Sequence, residues 1–572
     1  MTPAHFDADG RLRSTQFGDV YFSGDGVQQA AHVFVDGNDL RERFAAARGT
    51  FVVAELGFGT GMNFLVTLRA FAEHAHPDAR LVYISCERTP LGADVLGPVH
   101  ARLPEAWHDA AQRVRQTLQG GDTRAVFADG RVTLNLLLGD ARTVLHGHTF
   151  AADAWYLDGF APRVNPELWT PELLRAVADR CRPGATAATY TVAGDVRRAL
   201  LAAGFELERR RGFGDKREML HARWLGEDAA VARTRAPQHV LVRGAGIAGA
   251  SAARAFAARG CRVTVHGPDG IADGASGIPA AAVRPRLWRP SRHSVPDAEI
   301  VAEAFRWTSR WLPQNAPASF RGCGVLLCAV DADDEARVRA RAENPRTADL
   351  AHWCPRERAS EQAGIALPFG AAWIPTGGVV DLSGAVHELL AHQAIEVVAE
   401  PPTTAVDLEV DATARIADGE LVRGQAIAIP APAAAPRAVL CTTGYLCPPD
   451  RDGRLWLGST YDRRDDAGDE RPDDDARVLQ KFDALPAVAA ALRDLPTVRR
   501  FVGVRATTAQ RLARIGMPSP DRAVTLAHGS RGAVTGPWAG ELLAAAAFGE
   551  AMPITPSHWS RLHERAACRR AD

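Results

Sequence analysis

Short apolar runs, each closing on a glycine or an acid and followed by a longer stretch of mixed polarity, recur through the first 225 residues. The runs at 51–54, 81–85, 132–138, 154–157 and 186–191 are rich in apolar, small and β-branched residues and too short for helices, so they predict buried strands. The stretches at 62–74, 171–180 and 196–203 carry helical spacing and predict the covering helices, an α/β alternation. Residues 1–50 mix polar turns with the aromatic runs DVYFS (19–23) and HVFV (32–35) and predict an N-terminal hairpin layer. The pattern restarts at 240–242, a buried-strand run that enters GAGIAG (244–249), an Ala-rich helix (250–259) and a second strand (261–265). Such a unit normally opens a domain. It predicts a first domain at 1–225, a linker GEDAAVARTRAP (226–237) and a second domain at 238–572. Further on, 373–381 reads as a strand and turn, placed either over a substrate site or as a plain surface hairpin, and 538–548 reads as a late helix.

Composition narrows the class. Hydrophobic content of 46% and charged content of 24% are those of a globular chain, no apolar run reaches bilayer length, and the start lacks the apolar core of a signal peptide. Nine cysteines without a C-x-x-C pair argue against a disulfide framework and against a zinc site, and a reducing cytoplasm fits best. With a net charge of −1, any nucleic acid must be held by local basic patches. Two candidates are Arg209, Arg210 and Arg211 with Lys216 and Arg217, and Arg284, Arg286, Arg289 and Arg292; a solvated face is the alternative for either.

The chemistry-bearing residues sit where these strands end. Glu55 precedes G-x-G-x-G at Gly57, Gly59 and Gly61, ahead of a helix. A carboxylate there can approach the methionine ammonium of S-adenosylmethionine, although an ordinary strand–helix turn looks the same. Glu87, ending the second strand, can accept hydrogen bonds from both ribose hydroxyls; Asp140, ending the third, can face an adenine amino group; Asp158, opening LDGFAP, ends the fourth. Each acid alone reads as a cap or turn residue, but four at successive strand ends have the layout of a class I methyltransferase. In GAGIAG, Gly244 permits the tight turn, Gly246 the approach of a pyrophosphate and Gly249 close helix–strand packing, with the phosphates at the helix N-terminus. Where an acid is expected to hold the ribose, His266 stands instead, with Asp269 just beyond. The small-residue loop GASGIPAAAVRPRLW (274–288), containing Ser276, can run along a flavin and its phosphates. HGSRG (528–532), with Gly529, Arg531 and Gly532, can close on the flavin carbonyls.

Together DVYFS, ELGFGTGMNFL (55–65), LDGFAPRVNPELWT (157–170), GFGDKREML (212–220), GAGIAG, GASG (274–277), GVRAT (503–507) and HGSRG closely resemble the MnmC family of bifunctional tRNA wobble-uridine modification enzymes, over nearly the whole chain. The sequence departs from that family at CERTP (86–90), IPAAAVRPRL (278–287) and AAWIPTGG (371–378). The resemblance implies a class I methyltransferase Rossmann-like domain followed by an FAD-binding Rossmann-type α+β oxidase domain of the glycine/D-amino-acid oxidase kind. It implies FAD and S-adenosyl-L-methionine as cofactors, tRNA as partner, and no metal or membrane. The oxidase would convert 5-carboxymethylaminomethyl-(2-thio)uridine to the 5-aminomethyl form, and the methyltransferase would then methylate that amine. Asp158 is the expected proton acceptor. A guanidinium suits the substrate carboxylate, with Arg505 the first candidate and Arg531 the second. Arg210, Arg211, Lys216 and Arg217 are expected to hold RNA.

Overall fold

The computed structural model of the protein describes residues 4–8, 10–22, 25–120, 124–214, 216–226, 236–290, 295–414, 416 and 419–567. Of the features singled out in the sequence, Ser23, Asp215, Arg292 and linker residues 227–235 lie outside the described residues. Contacts divide the chain into two compact units, Met1–Ala236 with Ala545–Pro556 and Pro237–Ala544 with Ser557–Asp572.

The first unit is built on an eight-stranded sheet in the order Arg124–Phe127, Val132–Leu138, Ala79–Glu87, Gly49–Leu56, Ala152–Leu157, Cys181–Thr189, Glu218–Trp224, Phe205–Arg211. The five strands from Val132–Leu138 to Cys181–Thr189 run parallel, so their carboxyl ends share one edge. Alternation fixes the two faces. Phe51 and Val53 enter one core while Val52, Ala54 and Leu56 enter the other, which is why the strand is apolar on both faces up to Glu55. The distant segment 545–556 belongs to this unit through Glu550, paired with Arg124 at 3.1 Å, and through mutual backbone bonds of Thr149 and Met552. The N-terminal expectation needs correcting. Ala4–Phe6 and Leu12–Ser14 do form a hairpin, but HVFV is helical, continuous with Gly26–Ala30, and buries Val33, Phe34 and Val35 together. Three successive apolar residues suit a helix covered by neighbours as well as they suit a strand.

The second unit holds a six-stranded sheet ordered Ile395–Val398, Arg262–His266, His239–Arg243, Leu408–Asp411, Arg522–Leu526, Arg514–Ser519, parallel except at its last pair. A nine-stranded sheet is formed by strands interleaved with these along the chain, with Arg499–Thr507 paired along Glu420–Pro430. The stretch 373–381 is divided between two sheets rather than forming one hairpin, and it lines neither of the two cavities described below. Ala371–Ile374 joins the nine-stranded sheet and Gly378–Val380 a separate three-stranded one. Helix Ile247–Ala257 packs on the six-stranded sheet, and Gly249 makes that contact possible: a Cβ there would lie 1.9 Å from the carbonyl oxygen of Gly244. Gly249→Ala is expected to lower stability of this unit by more than the roughly 1–3 kcal/mol of ordinary overpacking, because backbone is the obstacle. A thermal melt that matches the wild type would refute this.

Candidate active sites

The carboxyl edge of the first sheet surrounds a cavity of about 380 Å³, within the size range of small-ligand sites. Gly57, Gly59, Glu87, Asp140 and Asp158 line it together; Glu55 and Gly61 do not. Asp158 ends its strand with the following loop pinned at three points. Ala161 N–H donates to Asp19 Oδ2 at 3.0 Å, Trp169 Nε1–H donates to the Phe160 carbonyl at 3.0 Å, and the Tyr190 hydroxyl donates to the Gly159 carbonyl. One amide links two acids: Asn63 Nδ2 donates to Asp158 Oδ2 at 2.7 Å and to Glu55 Oε1 at 2.8 Å. Glu55 also accepts from Ser85 Oγ at 2.7 Å and is 1% exposed, so it forms the floor beneath the cavity rather than its wall. Burial pushes the Glu55 carboxyl up to about 8, tempered by the Ser85 hydrogen bond and reinforced by the charge of Asp158. Burial raises Asp158 to about 6, against the lowering effects of Asn63, the Gly159 backbone and Lys216.

Glu87 and Asp140 have local partners as well. Glu87 Oε2 accepts from the backbone N–H groups of Phe58 and Gly59, both at 3.1 Å, and so braces the glycine turn. Asp140 caps helix Ala141–Gly147 through Thr143 N–H at 3.1 Å. Both remain on the cavity wall, at the ends of adjacent strands.

The basic cluster treated as one in the sequence comes apart. Lys216 Nζ lies 3.6 Å from the Tyr190 ring centroid inside the methyltransferase cavity, and burial lowers its pKa against the pull of Asp158 and Asp19. Arg210 is ion-paired to Asp39 and Glu208 at 3.0 and 2.9 Å. Arg211 and Arg217 are exposed, one ending strand Phe205–Arg211 and one in the turn after it.

The second unit contains a cavity of about 770 Å³ lined by Gly244, Gly246, Ser276, Arg505, Gly529, Arg531 and Gly532, with Gly249 behind it. Ser276 Oγ accepts from Ile247 N–H at 3.0 Å and ties the small-residue loop to the helix N-terminus, beside which a pyrophosphate can lie. His266 and Asp269 are both on the wall where the ribose acid is expected. Arg505, on strand Arg499–Thr507, is the unusual group. Its guanidinium is buried, Nε and Nη2 have no hydrogen-bond partner among the described residues, and burial lowers its pKa. Gly424 leaves its space: a Cβ there would sit 2.1 Å from Nη2. A buried cation without a partner is costly and fits an anionic ligand group. Arg531 is also depressed, to about 10, by burial and by the positive charges of Arg284, Arg286 and Arg511.

Comparison with known proteins matches this division. The S-adenosyl-L-methionine-dependent methyltransferase family model matches residues 101–224, and the FAD dependent oxidoreductase family model matches 239–412 and 404–546. A Pseudomonas paraeruginosa protein named tRNA 5-methylaminomethyl-2-thiouridine biosynthesis bifunctional protein MnmC is 35% identical, the alignment covering 96% of this chain and 95% of that one. The chain belongs to the MnmC family. Its MnmC relative from Chromobacterium violaceum is 34% identical over 98% of this chain and 97% of the other. The solved structure of MnmC2 from Aquifex aeolicus is 27% identical, covering 40% of this chain and 72% of that one, with a TM-score of 0.33. The MnmC chain thus carries S-adenosylmethionine-dependent methyltransferase and FAD-dependent oxidoreductase domains. Sequence reading missed Asn63 and the place of Lys216 on the cavity wall. Asn63 stands in the first turn of helix Met62–His74, directly after the glycine turn, and that placement was the available signal. Among the described residues no group of His, Cys, Asp or Glu could hold a metal, and no helix is long and apolar enough to cross a membrane.

Proposed function

We propose that the chain performs two successive steps on the uridine at the tRNA wobble position: oxidative removal of the carboxymethyl group from 5-carboxymethylaminomethyl-(2-thio)uridine, then methylation of the exposed amine. The observation that carries this reading is the unpartnered guanidinium of Arg505 at the flavin cavity, in one chain with a methyl-donor cavity that presents Asp158. Arg505 holds the substrate carboxylate and fixes the adjacent C–N bond, with Arg531 the second cation at this site. Bound FAD supplies the two-electron acceptor. Loss of hydride from the carboxymethyl carbon and of the nitrogen proton leaves an imine, which water splits into the aminomethyl nucleoside and glyoxylate. In the other cavity, S-adenosylmethionine supplies the methyl group, with Glu87 and Asp140 at its ribose and adenine and the floor acid Glu55 nearest its methionine end. The incoming amine is mostly protonated at neutral pH. Asp158, held by Asn63, orients it and takes its proton so that the nitrogen lone pair meets the methyl carbon. A cytoplasmic setting suits the free thiols of the described cysteines.

Nucleoside analysis of tRNA from a strain lacking both activities, before and after incubation with the purified protein, tests this. The carboxymethylaminomethyl nucleoside should give way to the methylaminomethyl one when both cofactors are supplied. Persistence of the starting nucleoside would refute the reading.

Arg211 and Arg217, exposed and outside the cavity lining, are assigned to tRNA phosphates, while Lys216, also exposed, serves the cavity it lines. Replacing both arginines by alanine should weaken tRNA binding and reduce its log–log salt slope by about 0.7–0.9 per lost phosphate contact. An unchanged slope would assign them to the hairpin alone.

A further inference from the structure

Arg505 accounts for the carboxylate of the substrate but gives the uracil ring nothing to lie on. At the same cavity stands Tyr461, 42% exposed; among the described residues it is the one aromatic in a set of exposed large apolar side chains otherwise made of Leu138, Leu201, Leu225, Leu421 and Val498. Strands Arg454–Gly458 and Asp462–Arg463 flank it on both sides, so its backbone is held although its ring is not covered. The ring centroid is 5.7 Å from Arg505 Cζ and 6.0 Å from Arg511 Cζ.

We propose that Tyr461 is the platform on which the wobble uracil stacks while its side arm reaches Arg505; the proposal rests on the function proposed above. The dimensions agree. From uracil C5 to the carboxylate carbon the arm has four bonds, roughly 5 Å when extended, enough for a base set against the edge of the ring to reach a guanidinium whose Cζ is 5.7 Å from the ring centroid. An exposed tyrosine offers a flat, polarisable face at small entropic cost, the usual partner of an unpaired base. Arg511, beside the same ring, adds positive charge next to Arg531, Arg284 and Arg286, where the phosphates flanking an extruded nucleotide would pass. A free N-substituted glycine would satisfy Arg505 but not the ring, so Tyr461 selects a nucleoside over small amino acids.

The test uses the full chain loaded with FAD, and tRNA bearing 5-carboxymethylaminomethyluridine. Tyr461→Leu, similar in apolar character but without a π-face, should raise KM and the tRNA dissociation constant about 5- to 150-fold, the range for loss of one stacked base. Its kcat at saturating tRNA and its flavin content should stay at wild-type levels. Tyr461→Phe and Tyr461→Trp should keep KM near wild type. A wild-type KM in Tyr461→Leu overturns the platform, and so does a Phe variant as impaired as the Leu one, which would point to the hydroxyl. If Tyr461→Leu loses flavin, the Trp and Phe variants decide, since impairment of both rings is incompatible with stacking. Failure of the wild type to convert this tRNA would overturn the functional reading and the platform with it; conversion by the wild type with an indifferent Leu variant overturns the platform alone.

Discussion

Asp158→Asn stops the pathway at methylation and leaves oxidation running. Asparagine keeps the size of the side chain and an oxygen to accept from Asn63 Nδ2, now 2.7 Å from Asp158 Oδ2, so the loop and donor cavity should survive. It cannot take a proton and has no charge to hold an ammonium. Loss of a positioned general base costs on the order of 10²–10⁴-fold in rate. Treated tRNA should therefore accumulate the aminomethyl nucleoside. The wild-type pH profile carries the same signature. Burial raises the Asp158 carboxyl to about 6, so the base form is present above that pH and is lost below it. Methylation kcat/KM, which reports the free enzyme, should fall as pH drops through about 6, and the variant should lack that limb of the profile. Normal yield of methylated product at a normal rate would remove Asp158 from the mechanism. Accumulation of the carboxymethylaminomethyl nucleoside would show instead that the two sites are coupled.

Arg505→Met has the largest expected effect on the oxidase. A buried charge pair that loses one partner costs about 2–5 kcal/mol, roughly 30- to 5,000-fold in kcat/KM for the carboxylate substrate. Arg505→Lys should recover only part of this, because an ammonium lacks the fork that grips both carboxylate oxygens. The opposite sign is expected for stability. In the free protein the guanidinium is buried with Nε and Nη2 unpartnered, so methionine removes a desolvation cost, and the melting temperature should hold or rise while flavin content is unchanged. A variant with full oxidase activity would assign the carboxylate to Arg531. A variant that melts early would mean that Arg505 supports the sheet.

Much of this protein follows from local rules. The parallel strands of the first sheet were legible because a strand buried on both faces is apolar along most of its length, as the run 51–54 is before the acid Glu55. The two glycine turns were legible because strand, turn and helix follow one another within a few residues, and Glu87, Asp140 and Asp158 were candidates because they stand at strand ends, where they line one cavity. The domains the family models match, and the family itself, agree with that reading.

Tertiary structure decided what depends on burial and on distant partners. HVFV could be strand or helix until its neighbours were in place. Glu55 and Asp158 look alike in sequence, yet Asn63 and Ser85 draw Glu55 into the floor while Asp158 stays on the cavity wall. Lys216 and Arg217 are adjacent in the chain and both exposed, but only Lys216 reaches over Tyr190 to line the cavity. Arg505 is one of many arginines in the sequence; only the packing around Gly424 shows that its guanidinium is buried without a partner. Segment 545–556 joins the first unit through Glu550 and Met552, contacts hundreds of residues away along the chain that leave no periodicity to read. Sequence pattern determines which elements form and where their ends lie; solvent exclusion, which acts in three dimensions, determines which of the side chains at those ends are left facing a ligand.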